Sequence, residues 1–450
     1  MQIVIGGLGK VGTFLCHELS HEGHDVTVLD INENVLTKAI EREDIRTITG
    51  SITSIDLQVE ATIPSCDVFI AATSSDEVNI TAAMIASKLG AKHTVARVRD
   101  TEYGAHMAFM RESLGISYLI NPEFEAARYL AEMLQFPAVY AMERFVNGNV
   151  TMMEAELASD SDLVGKDLVH FRQSYPSLLI TAVAREDEIF IPSGAFILES
   201  HDRIQVTGQM AELRQLYNQF TKAKKRYKKI LIIGGGRIAH YLLQYLPKSS
   251  LEITLIEKNT KRASLLAGEF PHISVLVGDG TDHELLDETD LNSFDILLNL
   301  TGMDEENIMI SLHAAATGVA RTVTKVTRVA MLPLLASFDL QTILTPHRIA
   351  GEGLMRYIRA RGHSNESDIE AVYHLMSNRL EAVEFTAPKE ARSLNIPLKV
   401  LELKPGVLVG LIYRKGQIIF PGGADVLKAK DRVIVISKEM ALKNLDDILA

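Results

Sequence analysis

Only two cysteines, Cys16 and Cys66, occur in 450 residues. One falls in a helical pattern and the other just before a strand, so they offer no disulfide framework, which suits the cytoplasm. Long hydrophobic runs are missing too: none approaches the ~18 apolar residues needed to span a bilayer. The first residues already read as an apolar strand, which leaves no room for a signal peptide. Positive charge is in short supply, with 46 Lys and Arg against 58 Asp and Glu and a net charge of −12. That balance opposes generic nucleic-acid binding, and neither a helix-turn-helix pattern nor a basic face offsets it. Any role at a membrane therefore runs through a partner. A chain of this length divides into several domains, because single cores stop growing beyond about 250–300 residues.

What the chain does have is one pattern written twice. The first copy is Gln2-Ile3-Val4-Ile5-Gly6-Gly7-Leu8-Gly9-Lys10-Val11-Gly12, and the second is Ile230-Leu231-Ile232-Ile233-Gly234-Gly235-Gly236-Arg237-Ile238-Ala239. Adding 227 carries Gly7, Gly9 and Gly12 onto Gly234, Gly236 and Ala239, and Asp30 onto Glu257. Each copy is an apolar strand, a Gly-rich turn, an apolar-periodic helix and an acid closing the next strand. One G-x-G-x-x-G is a weak signal; two in full context are a strong one.

The pattern carries the chemistry of dinucleotide binding. Gly7 and Gly234 permit the tight turn out of the strand, and Gly9 and Gly236 let a pyrophosphate approach the backbone. Gly12 lets the helix pack closely on the sheet, which Ala239, one methyl larger, manages less well. The helix N-termini at Lys10-Val11 and Arg237-Ile238 offer free N–H groups and a positive dipole end. Asp30 and Glu257 accept hydrogen bonds from ribose hydroxyls and repel a 2′-phosphate, so NAD or another adenosine nucleotide is favoured over NADP.

The repeat extends past the glycines. Gly50-Ser51-Ile52-Thr53 lies opposite Gly278-Asp279-Gly280-Thr281, and Asp67–Thr73 opposite Asp295–Thr301. Asp76-Glu77-Val78-Asn79 matches Asp304-Glu305-Glu306-Asn307, acids that open helices, and Arg97 matches Lys325. Strands alternate with helices, which reads as an α/β doubly wound parallel sheet in each half. A smaller β-rich piece follows each, with hairpins predicted at 178–194 and 407–423. The expected divisions are 1–121 and 229–350 for the Rossmann-like units, and 138–224 and 366–450 for the β-rich units.

This organisation resembles the TrkA family of Trk potassium-uptake regulatory proteins, whose halves are RCK domains. The resemblance rests on Gly7–Gly12, Ala72-Thr73-Ser74-Ser75-Asp76-Glu77-Val78-Asn79, Ala96-Arg97-Val98-Arg99, Gly234–Ile238 and Gly278-Asp279, and it covers essentially the whole chain. It implies NAD(H), ATP or ADP at the first Rossmann site and a homotetrameric ring. It also implies a place at the inner face of the membrane, beneath a potassium-conducting subunit of the TrkH or TrkG type. Ala239 and Lys325 depart from the first copy and make the second site the weaker or more divergent one.

Arg97 and Arg99 end a strand at the carboxyl edge of the sheet, where ligands bind in such folds, and Arg97 suits a phosphate oxygen. Thr73 and Ser74 end the strand before and suit a ribose or phosphate, though simple turn chemistry accounts for them equally well. His17-Glu18-Leu19-Ser20-His21 matches the zinc-protease pattern, but no third ligand or cleft is visible, so surface histidines and no metal are expected. The basic run Lys222–Lys229 at the boundary between the halves suits anionic lipid near the membrane, at about 1 kcal/mol per basic residue, but reads better as a solvated linker. No His, Lys or Tyr constellation suits hydride chemistry, so no catalytic residue is assigned; an NAD-dependent oxidoreductase with a duplicated fold is the alternative.

Overall fold

The computed structural model describes residues 1–100, 103, 113–137, 139–146, 149–186, 188–220, 227–246, 251–319, 321–328, 331–335, 340, 342–362, 368–376, 379–438 and 442–450. Most of the basic run, 222–226, lies outside the described residues. No helix among the described residues is long and apolar enough to cross a membrane.

The apolar runs that open each half become central strands covered on both faces, which is why they do not alternate with polar residues. In the first half β1 (Gln2–Gly6), β2 (Asp25–Asp30), β3 (Arg46–Thr49), β4 (Val68–Ala71), β5 (His93–Arg97) and β6 (Tyr118–Ile120) form one sheet. Its order is β3-β2-β1-β4-β5-β6, with every pairing parallel. The order reverses between β1 and β4, and ligands bind in the crevice at such a switch point.

The third sheet repeats this arrangement. It comprises β7 (Lys229–Ile233), β8 (Glu252–Glu257), β9 (Ser274–Val277), β10 (Ile296–Asn299), β11 (Thr322–Lys325) and β12 (Thr342–Leu344). They run β9-β8-β7-β10-β11-β12, also parallel.

The second and fourth sheets are five-stranded and antiparallel, and they share one topology. The hairpins predicted from the sequence appear as Leu178–Arg185 with Glu188–Phe190, and Val407–Arg414 with Gln417–Ile419. Lys415 and Gly416 both take positive φ, as a tight two-residue hairpin turn requires.

The chain forms two compact units, and they are not its two halves. One joins Met1–Gln135 to Tyr227–Met355; the other joins Phe136–Arg226 to Arg356–Ala450. Rossmann sheet is thus grouped with Rossmann sheet, and β-rich piece with β-rich piece. Within the Rossmann unit the halves exchange their last helices. Helix Pro122–Gln135 buries Ala126, Leu130 and Leu134 against Ile238, Ala239 and Leu242 of the second half's glycine-turn helix. Asn121 caps that exchanged helix through the Phe124 N–H, and its amide donates to the Tyr241 hydroxyl at 3.0 Å. Reciprocally, helix Pro346–Gly362 approaches the first half so closely that a Cβ on Gly351 would lie 2.4 Å from the Phe14 ring.

Candidate nucleotide site

Both glycine turns are built alike. Gly7 has φ +98 and Gly234 φ +99, and a Cβ at either would lie 2.9 Å from the backbone nitrogen of Thr73 or Thr301. Only glycine meets both conditions, because left-handed φ and a backbone neighbour exclude a side chain together. The helices that follow, Lys10–His21 and Arg237–Tyr245, start at Gly9 and Gly236, and no side chain caps either one. Their first N–H groups remain available to an anion. Space is available too: among the described residues, a Cβ on Gly9 would meet only the Ala72 carbonyl oxygen at 3.9 Å, and one on Gly236 nothing within 4 Å.

The copies differ at the third glycine. A Cβ on Gly12 would fall 1.9 Å from the Gly7 carbonyl oxygen. Ala239 carries that methyl and is fully buried, packed in the core that receives the exchanged helix.

Asp30 and Glu257 end the second strand of each sheet and brace the turns. Asp30 accepts the Leu8 N–H at 2.7 Å and the Asn32 N–H at 2.9 Å. Glu257 accepts the Gly235 N–H at 2.8 Å and the Asn259 N–H at 2.8 Å. Each carboxylate therefore fixes the loop that a ribose would rest against, a role not visible in sequence.

A second brace runs through Asn79 and Asn307, both fully buried. Asn79 Oδ1 accepts from the Thr73 N–H and hydroxyl at 2.8 and 2.7 Å, while its amide donates to the Arg97 carbonyl at 3.0 Å. Asn307 does the same between Thr301 and Lys325. The Thr73 hydroxyl is thus already donated within the fold. Ser74 contributes its carbonyl to the Arg99 guanidinium. Asp76 and Asp304, which open helices as the sequence suggested, also accept backbone N–H groups of Arg99 and Asp100, and of Thr327 and Arg328. The repeated Asp and Asn were the available signal; their partners across the sheet were not.

Arg97 and Lys325 occupy matching places. Arg97 Nη1 donates to the Thr73 carbonyl at 3.3 Å and Lys325 Nζ to the Thr301 carbonyl at 2.8 Å. Glu123, on the exchanged helix, lies 3.9 Å from Arg97. Among the described residues, Arg97 Nε and Glu123 Oε2 are buried with no hydrogen-bond partner. Burial pulls both cations below their ordinary pKa values, and the charge of Glu123 opposes that shift. Asp279 accepts the Thr281 N–H and hydroxyl, which hold its carboxyl below the usual range, and lines a cavity of about 290 Å³ with Gly234, Glu257, Thr301 and Lys325.

The starts of both glycine-turn helices, Lys10-Val11 and Arg237-Ile238, line one cavity of about 910 Å³, together with Gly235 and Gly236 of the second turn. Val11 and Ile238 contribute apolar wall. Among the described residues, Lys10, Arg97, Arg99, Arg237, Arg262 and Lys325 line it against two carboxylates, Glu123 and Glu269. His347, from the second exchanged helix, completes the wall, and burial followed by the charges of Lys10 and Arg97 pushes its imidazole down to about 4. Such a cavity suits a polyanion, with dipole ends and fixed cations replacing water around phosphate.

The TrkA-N domain family matches residues 3–122 and 230–346, and the TrkA-C domain family matches 152–221 and 382–450. The chain is 27% identical over 456 residues to the Trk system potassium uptake protein TrkA of Haemophilus influenzae, covering 100% of this chain and 98% of that one. It is 29% identical over 454 residues to the TrkA homolog 1 of Methanosarcina mazei, covering 99% of each. Among solved structures, the GsuK RCK domain superimposes with a TM-score of 0.63 at 18% identity, over 97% of this chain and 92% of that one. The GsuK channel bound to NAD gives 0.65 at 18% identity, over 97% and 76%. At that identity the likeness establishes the fold, a tandem of RCK units.

Proposed function

The chain belongs to the TrkA family of Trk-system potassium-uptake proteins, and from that premise we propose that it is a nucleotide-binding gating subunit. It binds NAD(H), ATP or ADP at the first glycine turn and transmits that state to a potassium-conducting membrane subunit of the TrkH or TrkG type. The observation that carries the reading is the pair of uncapped helix N-termini opening on one cationic cavity. A nucleotide there touches both Rossmann halves at once, so its phosphates bias how the halves sit against each other. Ligands that favour one of two arrangements shift the population, with couplings of about 1–3 kcal/mol.

In this reading the contacts are Gly7–Gly12, Asp30, Thr73, Ser74 and Arg97 in the first copy, and Gly234–Ile238, Glu257 and Asp279 in the second. The subdomains are 1–121, 138–224, 229–350 and 366–450. The protein acts as a homotetrameric ring at the cytoplasmic face of the membrane and does not transform its nucleotide.

Reconstituting the membrane partner in liposomes with this protein tests the function. Potassium flux should differ between NADH, ATP and ADP. Equal flux with every nucleotide, or steady oxidation of NADH with a small-molecule substrate, would overturn the proposal.

Asp30→Ala is expected to weaken NAD binding by about 1.5–3 kcal/mol, the range for a hydrogen bond to a charged group. Asp30→Asn should lose less, because its amide oxygen still accepts one of the two loop N–H groups. Calorimetry on both variants checks this; unchanged affinity in the alanine variant contradicts the ribose assignment.

A further inference from the structure

The first helix carries His17 and His21 one turn apart, so both project from one exposed face. From sequence alone they lacked a third partner. The fold supplies it: the loop after helix Glu33–Ile40 brings Glu43 onto the same face. His17 Nδ1 lies 2.8 Å from one Glu43 oxygen and His21 Nε2 3.7 Å from the other. The two rings stand edge to face, 4.3 Å apart. All three ligand atoms fall within 4.8 Å of one another, and no other such group occurs among the described residues.

This spacing suits an ion. Zinc–nitrogen and zinc–oxygen bonds of about 2.0–2.2 Å at tetrahedral angles place ligand atoms roughly 3.3 Å apart, between the two distances found here. Glu43 is also held in place, since the Ser20 hydroxyl donates to its second oxygen at 2.7 Å. Metal-binding carboxylates commonly have such an outer partner, which keeps them aimed. The histidine side chains are 53% and 65% exposed, against 14% for Glu43. An ion therefore enters from solvent, and water completes the coordination.

We propose that His17, His21 and Glu43 form a binding site for a borderline transition-metal dication of the zinc class. Two imidazoles and one carboxylate favour Zn²⁺, Co²⁺ or Ni²⁺ over Mg²⁺ or Ca²⁺, which prefer oxygen. Glu18, the acid within the histidine motif, is not in the cluster, so the site is a clamp and not a protease centre. The ion ties the helix that begins at the nucleotide turn to the segment that follows the next helix.

The test uses full-length, tag-free protein in metal-depleted buffer. Cobalt titration should give one equivalent per chain with the visible absorption of a tetrahedral N/O site, bleached when Zn²⁺ is added. Calorimetry with Zn²⁺ should show His17→Ala, His21→Ala and Glu43→Gln each losing more than the roughly 10–100-fold that an outer-partner change costs. Ser20→Ala should lose less than any of them. His201→Ala, whose ring pairs with Glu156 elsewhere, should match the parent. Circular dichroism confirms that the variants are folded, which exposed histidines make straightforward. Absence of saturable binding at micromolar Zn²⁺, or equal affinity in the parent and all three ligand variants, overturns the site.

Discussion

Gly12→Ala is expected to disrupt the first Rossmann unit, whereas Gly9→Ala leaves it folded but unable to hold nucleotide. The two positions look equivalent in a motif, yet their surroundings are opposite. A methyl on Gly12 would lie 1.9 Å from the Gly7 carbonyl oxygen, a backbone atom that no rotamer change can move. The helix must shift off the strand, and overpacking of this kind costs about 3 kcal/mol. Because Gly7 itself is the turn, the shift also misplaces the N–H groups meant for phosphate. Gly9 has φ −69 and ψ −169, which alanine adopts freely, and among the described residues its new methyl meets only the Ala72 carbonyl oxygen at 3.9 Å. Stability should be nearly unchanged. The methyl occupies the path of a pyrophosphate, and losing two charge-assisted hydrogen bonds costs about 3 kcal/mol, or over a hundredfold in affinity. Urea denaturation and nucleotide calorimetry separate the outcomes. A stable Gly12→Ala, or a Gly9→Ala that binds NAD like the parent, would contradict the role given to the turn.

The stability of the parent should fall steeply between about pH 6.5 and 4, and His347→Gln should remove much of that slope. The imidazole is 5% exposed, and its pKa is pushed down to about 4 by burial and by Lys10 and Arg97, with Asp304 opposing. An unfolded chain protonates the same ring near 6.5. Through that window the unfolded state takes up a proton that the folded state refuses, so stability decreases as pH falls and the loss is complete below about 4. The gap is worth about 3 kcal/mol at 1.36 kcal/mol per pH unit. Carboxylates shared by both proteins cancel in the comparison, so the difference between parent and variant isolates this ring. Phosphates in the cavity reverse part of the effect, because negative charge beside His347 favours its protonated form. ATP binding by the parent should therefore tighten from pH 7.5 to 5, and tighten less in His347→Gln. Urea midpoints at several pH values, with and without ATP, decide it; parallel profiles for parent and variant would rule out the assignment.

Much of the architecture was legible because local chemistry repeats. The Gly7-x-Gly9-x-x-Gly12 and Gly234-x-Gly236 turns, the acids Asp30 and Glu257, and the paired hairpins each carry their signal within a few residues. Alternating strands and helices then fixed the sheet class, since parallel strands need a crossover between them. Partnership across the fold left no such trace. Helix Pro122–Gln135 shows an apolar face at 126, 130 and 134, but periodicity cannot say that it lies on the second half's Ala239 and Leu242. Four units in tandem along the chain carry no local mark of the exchange that brings the Rossmann halves together.

The same limit applies at the sites. Lys10, Arg97, Arg237 and Lys325 are scattered through the chain, and only the apposition of the halves gathers them around one cavity with Glu123 and His347. His17 and His21 read as surface histidines until Glu43, from a loop 22 positions beyond His21, closes on them. Sequence determined what each segment forms, because propensity, capping and turn geometry act over a few residues. Tertiary structure decided which charges meet, because burial and electrostatic contact act through space between segments that no local pattern relates.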